Sequence, residues 1–584
     1  MTKVKKRSFG VVLALALTVM IPMGYITASA DGFGDDCELQ GPIMTDAGLV
    51  TGTVFDNLLI TNGDPNGPVS SVVAGTKGMP VRVYRGIPYA APPVGNFRFM
   101  PPQPVTPWTG IRECSAFSKW PPQAFPTMTR LGYLFDDQMS EDCLYLNVIT
   151  PAKWKNERLP VMVWFHGGGI TTQSGTRPGY NTPAQAQGGV VTVSVSGRLD
   201  VMGFLALKSL SAESPYGASG NYGMLDLVAA LQWVKKNIHA FGGDPDRIGI
   251  WGQSGGGEKV CWLMASPLTT RLFRSAIAQS GIGVGAPLAT AEANGEAVLA
   301  ALSPPLTDDA AGLAALRALP WEDIQKAAIA AHYSANITID GYSQTDTIPN
   351  VFAKGEQQNV PFMVGLAHTE WGGEAAGTGA AAISFLSTLK SSGSPTYAFV
   401  HTRVPPGWLP ALAWHSFENG YIFRAPVAIA PNNFIDFAEA AGAPYTIDPS
   451  VFVGYNDAGW TVGRQLTYTC GGPPCGPTKE FGLVSTNAGW NCLDTFHRDF
   501  MFETWAHFAA TGDPNLPPEA LKRYWGPELP EWVPYSTAVD KFMALDTVPV
   551  VETGYSHPGV NGALPIPPPV FTCPFYGYTA PPPF

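Results

Sequence analysis

The chain has 584 residues, of which only 14% are charged, with 64 glycines and 55 prolines. That mixture argues for a large, loop-rich globular protein and against a coiled coil or helical array. A formal net charge of -11, with no basic cluster beyond the first seven residues, argues against nucleic acid as a partner.

The N-terminus reads as a leader. Lys3, Lys5, Lys6 and Arg7 precede an apolar stretch over 9–26, and Ala28-Ser29-Ala30 forms an A-x-A exit. This pattern predicts a signal peptide cleaved near Ala30 and a mature chain, secreted or periplasmic, that begins near Asp31. Pro22 and the small-residue exit argue against an uncleaved anchor. No later stretch is long and apolar enough to insert stably into a membrane.

From there the chain alternates apolar runs with helical patterns. Residues 159–165 (Leu-Pro-Val-Met-Val-Trp-Phe) and 190–195 read as buried strands. Residues 224–238 read as a helix, with Leu225, Val228, Leu231, Trp233 and Val234 apolar and Lys235 and Lys236 at the C-terminal end. A strand over 248–251, a helix over 258–264 and runs at 272–277 and 361–366 continue the alternation. Such a pattern predicts an α/β fold with a central, mostly parallel sheet flanked by helices, its active site beyond the carboxyl ends of the strands. The Pro- and aromatic-rich 566–584 reads as extended chain. No internal repeat is visible.

The stretch Gly252-Gln253-Ser254-Gly255-Gly256 sits between a strand and a helix. A serine on so sharp a turn is pushed out of the sheet, and the following helix aims free N–H groups and a positive dipole end beside it. A serine hydroxyl needs a base, a group to orient that base, and donors for the oxyanion. His166-Gly167-Gly168-Gly169 follows a buried strand and supplies backbone N–H groups. Gly168, Gly169 and Gly255 are the expected oxyanion-hole donors. Downstream histidines are His401, His415, His497, His507 and His557. None of the cysteine spacings resembles a zinc site, and neither metal nor cofactor is expected. Asn336-Ile337-Thr338 is a single sequon.

Several further stretches carry a family resemblance. They are Tyr84-Arg85-Gly86-Ile87-Pro88-Tyr89-Ala90 with Pro92-Pro93-Val94-Gly95, and Ser140-Glu141-Asp142-Cys143-Leu144-Tyr145-Leu146-Asn147. Gly220-Asn221-Tyr222-Gly223, Phe241-Gly242-Gly243-Asp244-Pro245, Trp505 with Phe508-Ala509, and Thr511-Gly512-Asp513-Pro514-Asn515 complete the set. Together with the elbow they resemble the type-B carboxylesterases, the family that includes cholinesterases and many microbial esterases and lipases. The resemblance implies an α/β-hydrolase fold over 31–545 with large loop insertions and a C-terminal tail over 546–584. It also implies hydrolysis of small-molecule esters and a disulfide between Cys114 and Cys143.

By the same resemblance, Glu370 in Gly365-Leu366-Ala367-His368-Thr369-Glu370 is the acid, although Trp371 stands where the family usually has glycine; Glu374 is the alternative. His415, with Glu418 three residues on and Tyr421 and Phe423 beyond, is the base. Gln253, where relatives often carry glutamate, and Ser280 with Glu418 resemble the family's buried network beside the histidine. A catalytically inactive cholinesterase-like binding or adhesion module is the alternative function, disfavoured because Ser254, Glu370, His415 and the glycines are all present.

Among the eight cysteines, Cys261 falls in the helix after the serine, where a small buried hydrophobe is expected rather than a bridge partner. Cys37 with Cys573, and a pair within Cys470, Cys475 and Cys492, are open alternatives. The Gly-, Ala- and Ser-rich segment 372–394 offers little to roof the site. The segment 424–491 looks expanded in compensation, so an entrance that admits bulky or branched esters is expected.

Overall fold

The computed structural model describes residues 39, 41–55, 80–123, 139–367, 385–386, 388–402, 418–423, 466–472, 476–483, 492–521, 530–536, 541–545, 550–553, 572–573 and 578–579. Its centre is an eleven-stranded sheet. In chain order the strands are β1 (Thr53–Phe55), β2 (Val81–Pro88), β3 (Tyr145–Thr150), β4 (Leu159–Phe165), β5 (Val191–Val195) and β6 (Gly243–Gln253). They continue as β7 (Ser275–Gln279), β8 (Phe362–Ala367), β9 (Thr396–His401), β10 (Lys541–Leu545) and β11 (Val550–Thr553). In space the order is β11-β10-β9-β8-β7-β6-β4-β5-β3-β2-β1. The strands from β5 across to β10 are mutually parallel, and antiparallel pairs close both edges. This is the mostly parallel sheet of an α/β-hydrolase.

The parallel strands are apolar on both faces because helices cover both. Successive side chains point to opposite sides. Val161, Val163 and Phe165 of β4 join the core on one side with Ile248, Ile250, Ala276, Ala278, Val364 and Leu366. Met162, Trp164, Trp251, Ile277, Met363 and Phe399 join the core on the other. The first side is covered by α1 (Tyr222–Asn237) and α2 (Gly255–Ala265), whose buried residues include Leu231, Val234, Trp262 and Leu263. The second is covered by α4 (Cys492–Thr511), which inserts Trp505 against Phe399 with ring centroids 5.1 Å apart. A short helix, α3 (Glu418–Ile422), precedes Phe423 on that side, and the Phe423 ring stands edge-on to Trp164 at 4.7 Å.

Two buried ion pairs fix the loops around this frame. Arg198 reaches Asp226 of α1 through Nε at 2.9 Å and Nη2 at 2.6 Å. The backbone N–H of Arg198 donates to the same carboxylate at 3.0 Å. Arg98 grips Glu141 in the same two-pronged way. The planar guanidinium suits a carboxylate in this geometry.

The disulfide implied between Cys114 and Cys143 is not formed. Both are buried free thiols, as is Cys261. Cys114 points its Sγ at the Gly86 carbonyl, 3.9 Å away. Burial pushes its pKa up to about 11 and raises that of Cys143 well above the ordinary value, in the second case reinforced by the charge of Asp226. Each is packed as a small apolar residue. Residues 466–472 and 476–483 form an antiparallel hairpin, and Cys470 lies in its first strand. Cys37, Cys475, residues 368–384 of the expected entrance and all of 424–465 lie outside the described residues.

The Arg198–Asp226 pair gives a stability test. Asp226→Ala leaves a guanidinium that is 3% exposed without its partner. Removing one member of a buried pair costs about 3–5 kcal/mol. The midpoint of urea unfolding should therefore drop markedly, and an unchanged midpoint would contradict the packing described.

Candidate active site

The carboxyl ends of β4, β6, β7 and β8 finish level with one another. Phe165 pairs with Gly252, Gln253 with Gln279, and Gln279 with Gly365. Ser254 follows Gln253 directly and takes φ 57° and ψ -127°, a backbone conformation that side-chain-bearing residues rarely adopt. Its N–H donates to the Gln279 carbonyl at 2.7 Å, and its own carbonyl accepts from the Glu258 N–H at 3.1 Å as α2 begins. The serine is thus held at a strand-to-helix turn and remains partly exposed, while its flanking residues Gln253 and Gly255 are buried.

Glycine is required around it because backbone meets backbone. A Cβ on Gly252 would fall 2.3 Å from the Gly256 carbonyl oxygen, and one on Gly256 would fall 2.0 Å from the Phe165 carbonyl oxygen. A Cβ on Gly255 would lie 2.1 Å from the Gly169 oxygen, and one on Gly281 would lie 1.9 Å from the Ser254 oxygen. The 166–169 loop therefore lies directly on the start of α2. Gly168 and Gly169 both have positive φ (82° and 61°), which glycine alone adopts freely.

The predicted donors come together here. The N–H groups of Gly168, Gly169 and Gly255 donate to no carbonyl or side chain among the described residues. N–H groups left free among the described residues beside a partly exposed serine, at a helix N-terminus, are of the kind that attract negative charge. The carbonyls of the loop are turned away. That of Gly168 accepts from the Thr172 N–H at 3.0 Å and from the hydroxyls of Thr171 and Thr172.

Glu370, Glu374, His415 and His557 lie outside the described residues. Their described neighbours are close to the serine. Ala367, three residues before Glu370, ends β8, and Ser280 donates its N–H to Gly365 of that strand at 2.8 Å. Glu418, three residues after His415, is 1% exposed and accepts from Gln279 Nε2 at 3.4 Å. Asn419 Nδ2 donates to Gln253 Oε1 at 3.3 Å, beside the nucleophile position. Trp505 Nε1 in turn donates to Gln279 Oε1 at 3.2 Å.

A buried polar network lies beside Ser254. Gln253 and Glu418 belong to it. The Ser280 hydroxyl, although buried, finds no partner among the described residues, and Gln279 occupies the bridging role. Gln279 and Asn419 carry no local sequence signal. His401 and His497 face each other at 3.3 Å between Nε2 atoms, packed around Tyr421, and fill the core between β9 and α4. His507 is half-buried on α4, and burial lowers its pKa. His166 is buried, with Nδ1 at 2.8 Å from the Gly167 carbonyl, and burial followed by the charge of Lys259 holds its pKa well below the usual range. Among the described residues no cluster of metal-ligating side chains is present.

A sequence profile of the carboxylesterase family matches residues 59–381, more than half of the chain. This chain belongs to the carboxylesterase family. Among its relatives is a fumonisin B1 esterase from Sphingopyxis macrogoltabida, 40% identical over 308 residues, an alignment that covers 51% of this chain and 54% of that protein. A para-nitrobenzyl esterase from Bacillus subtilis (strain 168) is 42% identical over 210 residues, covering 36% and 42%. In these alignments the chain spans about half, or less, of the length of the relatives it matches. Among solved structures, the carboxylesterase of Geobacillus stearothermophilus superposes with a TM-score of 0.63 at 25% identity, covering 88% of this chain and 97% of that one. A PNB esterase superposes equally well, with a TM-score of 0.63, 24% identity and coverage of 88% and 96%.

The tight turn yields a prediction of sign. Gly256 lies in a helix, where glycine to alanine ordinarily stabilises by about 0.5–1 kcal/mol. Here the added Cβ would meet the Phe165 carbonyl, and overpacking of a rigid site costs about 1–3 kcal/mol. Gly256→Ala should lower the urea midpoint, and a rise would show that the loop and the helix are not in contact.

Proposed function

We propose that this protein is a secreted serine esterase that hydrolyses carboxylic esters through an acyl-enzyme intermediate. The observation that carries the reading is the strained, partly exposed Ser254 at a strand-to-helix turn packed against the 166–169 loop, where the N–H groups of Gly168, Gly169 and Gly255 have no partner among the described residues. Membership of a family whose named relatives are esterases supports the same reaction class. The leader over 1–30 supports export.

In this reading His415 takes the proton from the Ser254 hydroxyl as the oxygen attacks the ester carbonyl carbon. Glu370 orients the imidazole and stabilises the imidazolium that forms. The carbonyl π electrons move onto oxygen, and the oxyanion is received by the three N–H groups. The α2 dipole adds to their effect, and no donor has to reorganise as the charge develops. His415 then gives its proton to the departing alkoxide, leaving an acyl-serine. Water, deprotonated by His415, attacks the acyl carbon in the second half, and the serine oxygen leaves with a proton. Glu418 and Asn419, fastened to Gln279 and Gln253, anchor the chain just after His415 and so limit where the imidazole can go. The ester pocket is expected to take bulky or branched acyl groups.

Ser254→Ala is the direct test, with p-nitrophenyl esters of increasing acyl length as substrates. Turnover should be abolished, apart from a residue of about 10³–10⁴-fold over water from the oxyanion hole and binding. The urea midpoint should change little, since the Ser254 contacts described are made by its backbone. Near wild-type turnover by the variant would refute the assignment.

A further inference from the structure

Lys259 lies one helical turn beyond Ser254 on α2 and is 3% exposed. Lysine is almost never buried so completely without a carboxylate partner. No ion pair to Lys259 exists among the described residues. The adjacent Glu258 runs the other way, and its Cγ and Oε1 lie 2.4 Å and 2.9 Å from where a Cβ on Gly283 would be. What Lys259 does contact is the 166–169 loop: its Nζ donates to the His166 carbonyl at 2.8 Å.

That contact completes a set. In a trans peptide the C=O of one residue and the N–H of the next point in opposite directions. Fixing a carbonyl therefore fixes where the following N–H points. The Gly168 carbonyl is tied back by Thr171 and Thr172, which sets the Gly169 N–H. The Gly167 carbonyl meets His166 Nδ1 at 2.8 Å, which sets the Gly168 N–H. The His166 carbonyl, where the loop leaves β4, is tied back by Lys259, which fixes the His166–Gly167 peptide and so the root from which the Gly168 and Gly169 peptides depart. Glycines with free φ and ψ would otherwise allow these peptides to turn over.

We propose that Lys259 is a positioning residue for ester hydrolysis, holding the 166–169 loop so that the Gly168 and Gly169 N–H groups face the oxyanion. This rests on the esterase reading. A charged donor makes roughly twice as strong a hydrogen bond as a neutral one, and an ammonium behind the loop also favours negative charge in front of it. Among the described residues, the groups that act electrostatically on Lys259 are Glu258 on its own helix and His166 on the loop. Burial pushes the Lys259 pKa down to about 7, with Glu258 raising it in part.

The sign of the stability effect separates this role from a structural one. An unfolded lysine titrates near 10.4. Between about pH 7 and that value the unfolded chain binds a proton that the native chain does not, so stability rises with pH. Below about pH 7 the cost of burying the ammonium is fully present. Lys259→Met removes that cost in a side chain of similar length.

The test compares wild type with Lys259→Met on p-nitrophenyl acetate from about pH 6 to about pH 9. The variant should lose up to about 10²-fold in kcat, with KM changed little and a Tm at pH 6 that is equal or higher. Wild-type kcat should decline on the basic side as the lysine deprotonates, and the variant should lack that limb. Lys259→Arg, charged throughout, should retain activity without the limb. An unaltered kcat and pH profile in Lys259→Met, or a kcat loss accompanied by a lower Tm, would overturn the proposal. Should neither variant fold, wild-type kcat decides: a basic limb supports the proposal and a flat profile overturns it. A wild-type protein inactive on every p-nitrophenyl ester defeats instead the esterase reading itself.

Discussion

Three strand ends and one helix start meet around Ser254 with almost no side chain between them. Gly252, Gly255, Gly256 and Gly281 each bring their Cα against a neighbouring backbone carbonyl, at distances where a Cβ cannot fit. The strained backbone of Ser254 persists only because the surroundings leave it no alternative: its N–H is spent on β7 and its carbonyl on α2. Among the described residues, the first N–H of α2 and those of Gly168 and Gly169 have no hydrogen-bond partner. Exposure of the hydroxyl and availability of the donors are therefore two consequences of one packing arrangement.

The sheet makes that arrangement affordable in conformational terms. Seven parallel strands with apolar side chains on both faces form a rigid platform, and the aromatic cluster of Trp164, Trp251, Phe399, Phe423 and Trp505 locks its second face. Phe423 has a double role. It belongs to that cluster, and it directly follows the short helix whose first two residues, Glu418 and Asn419, reach Gln279 and Gln253. The core on one side of the sheet thus fixes residues 418–423 beside the strand ends.

Much of this was legible in the sequence because it is local. The run Leu159–Phe165 is apolar at every position but one and forms a strand with those bounds. The glycine spacing around Ser254 signalled a turn whose steric reason is now visible. Other elements were misjudged for physical reasons. The strand into the elbow starts at Gly243, not 248, because Gly243 pairs with Leu159 before a register shift resumes the ladder at Ile248, and no apolar pattern marks the residues between. The strand expected from 272 begins at Ser275, since Leu272 closes a turn onto Thr269. Gln279 and Asn419 were invisible because their partners are 139 and 166 positions away in the chain. Cys114 and Cys143 show the limit of transferring a family feature: both thiols are satisfied as core residues.

Charge gives the last step. At the position before Ser254 this chain has Gln253, neutral, where relatives often carry glutamate. Among the described residues the nearest buried carboxylate of the network is Glu418, held beyond Gln279. The buried Lys259 donates to the His166 carbonyl at the start of the glycine loop, with Glu258 beside it on α2. Glu258 and Lys259 oppose one another on α2, so the replacement that changes the field at Ser254 without a neighbouring counter-charge is the neutral Gln253. A low local dielectric strengthens that effect. Under the esterase reading proposed above, the loss of a carboxylate at this position leaves a cationic substituent little to gain beside Ser254.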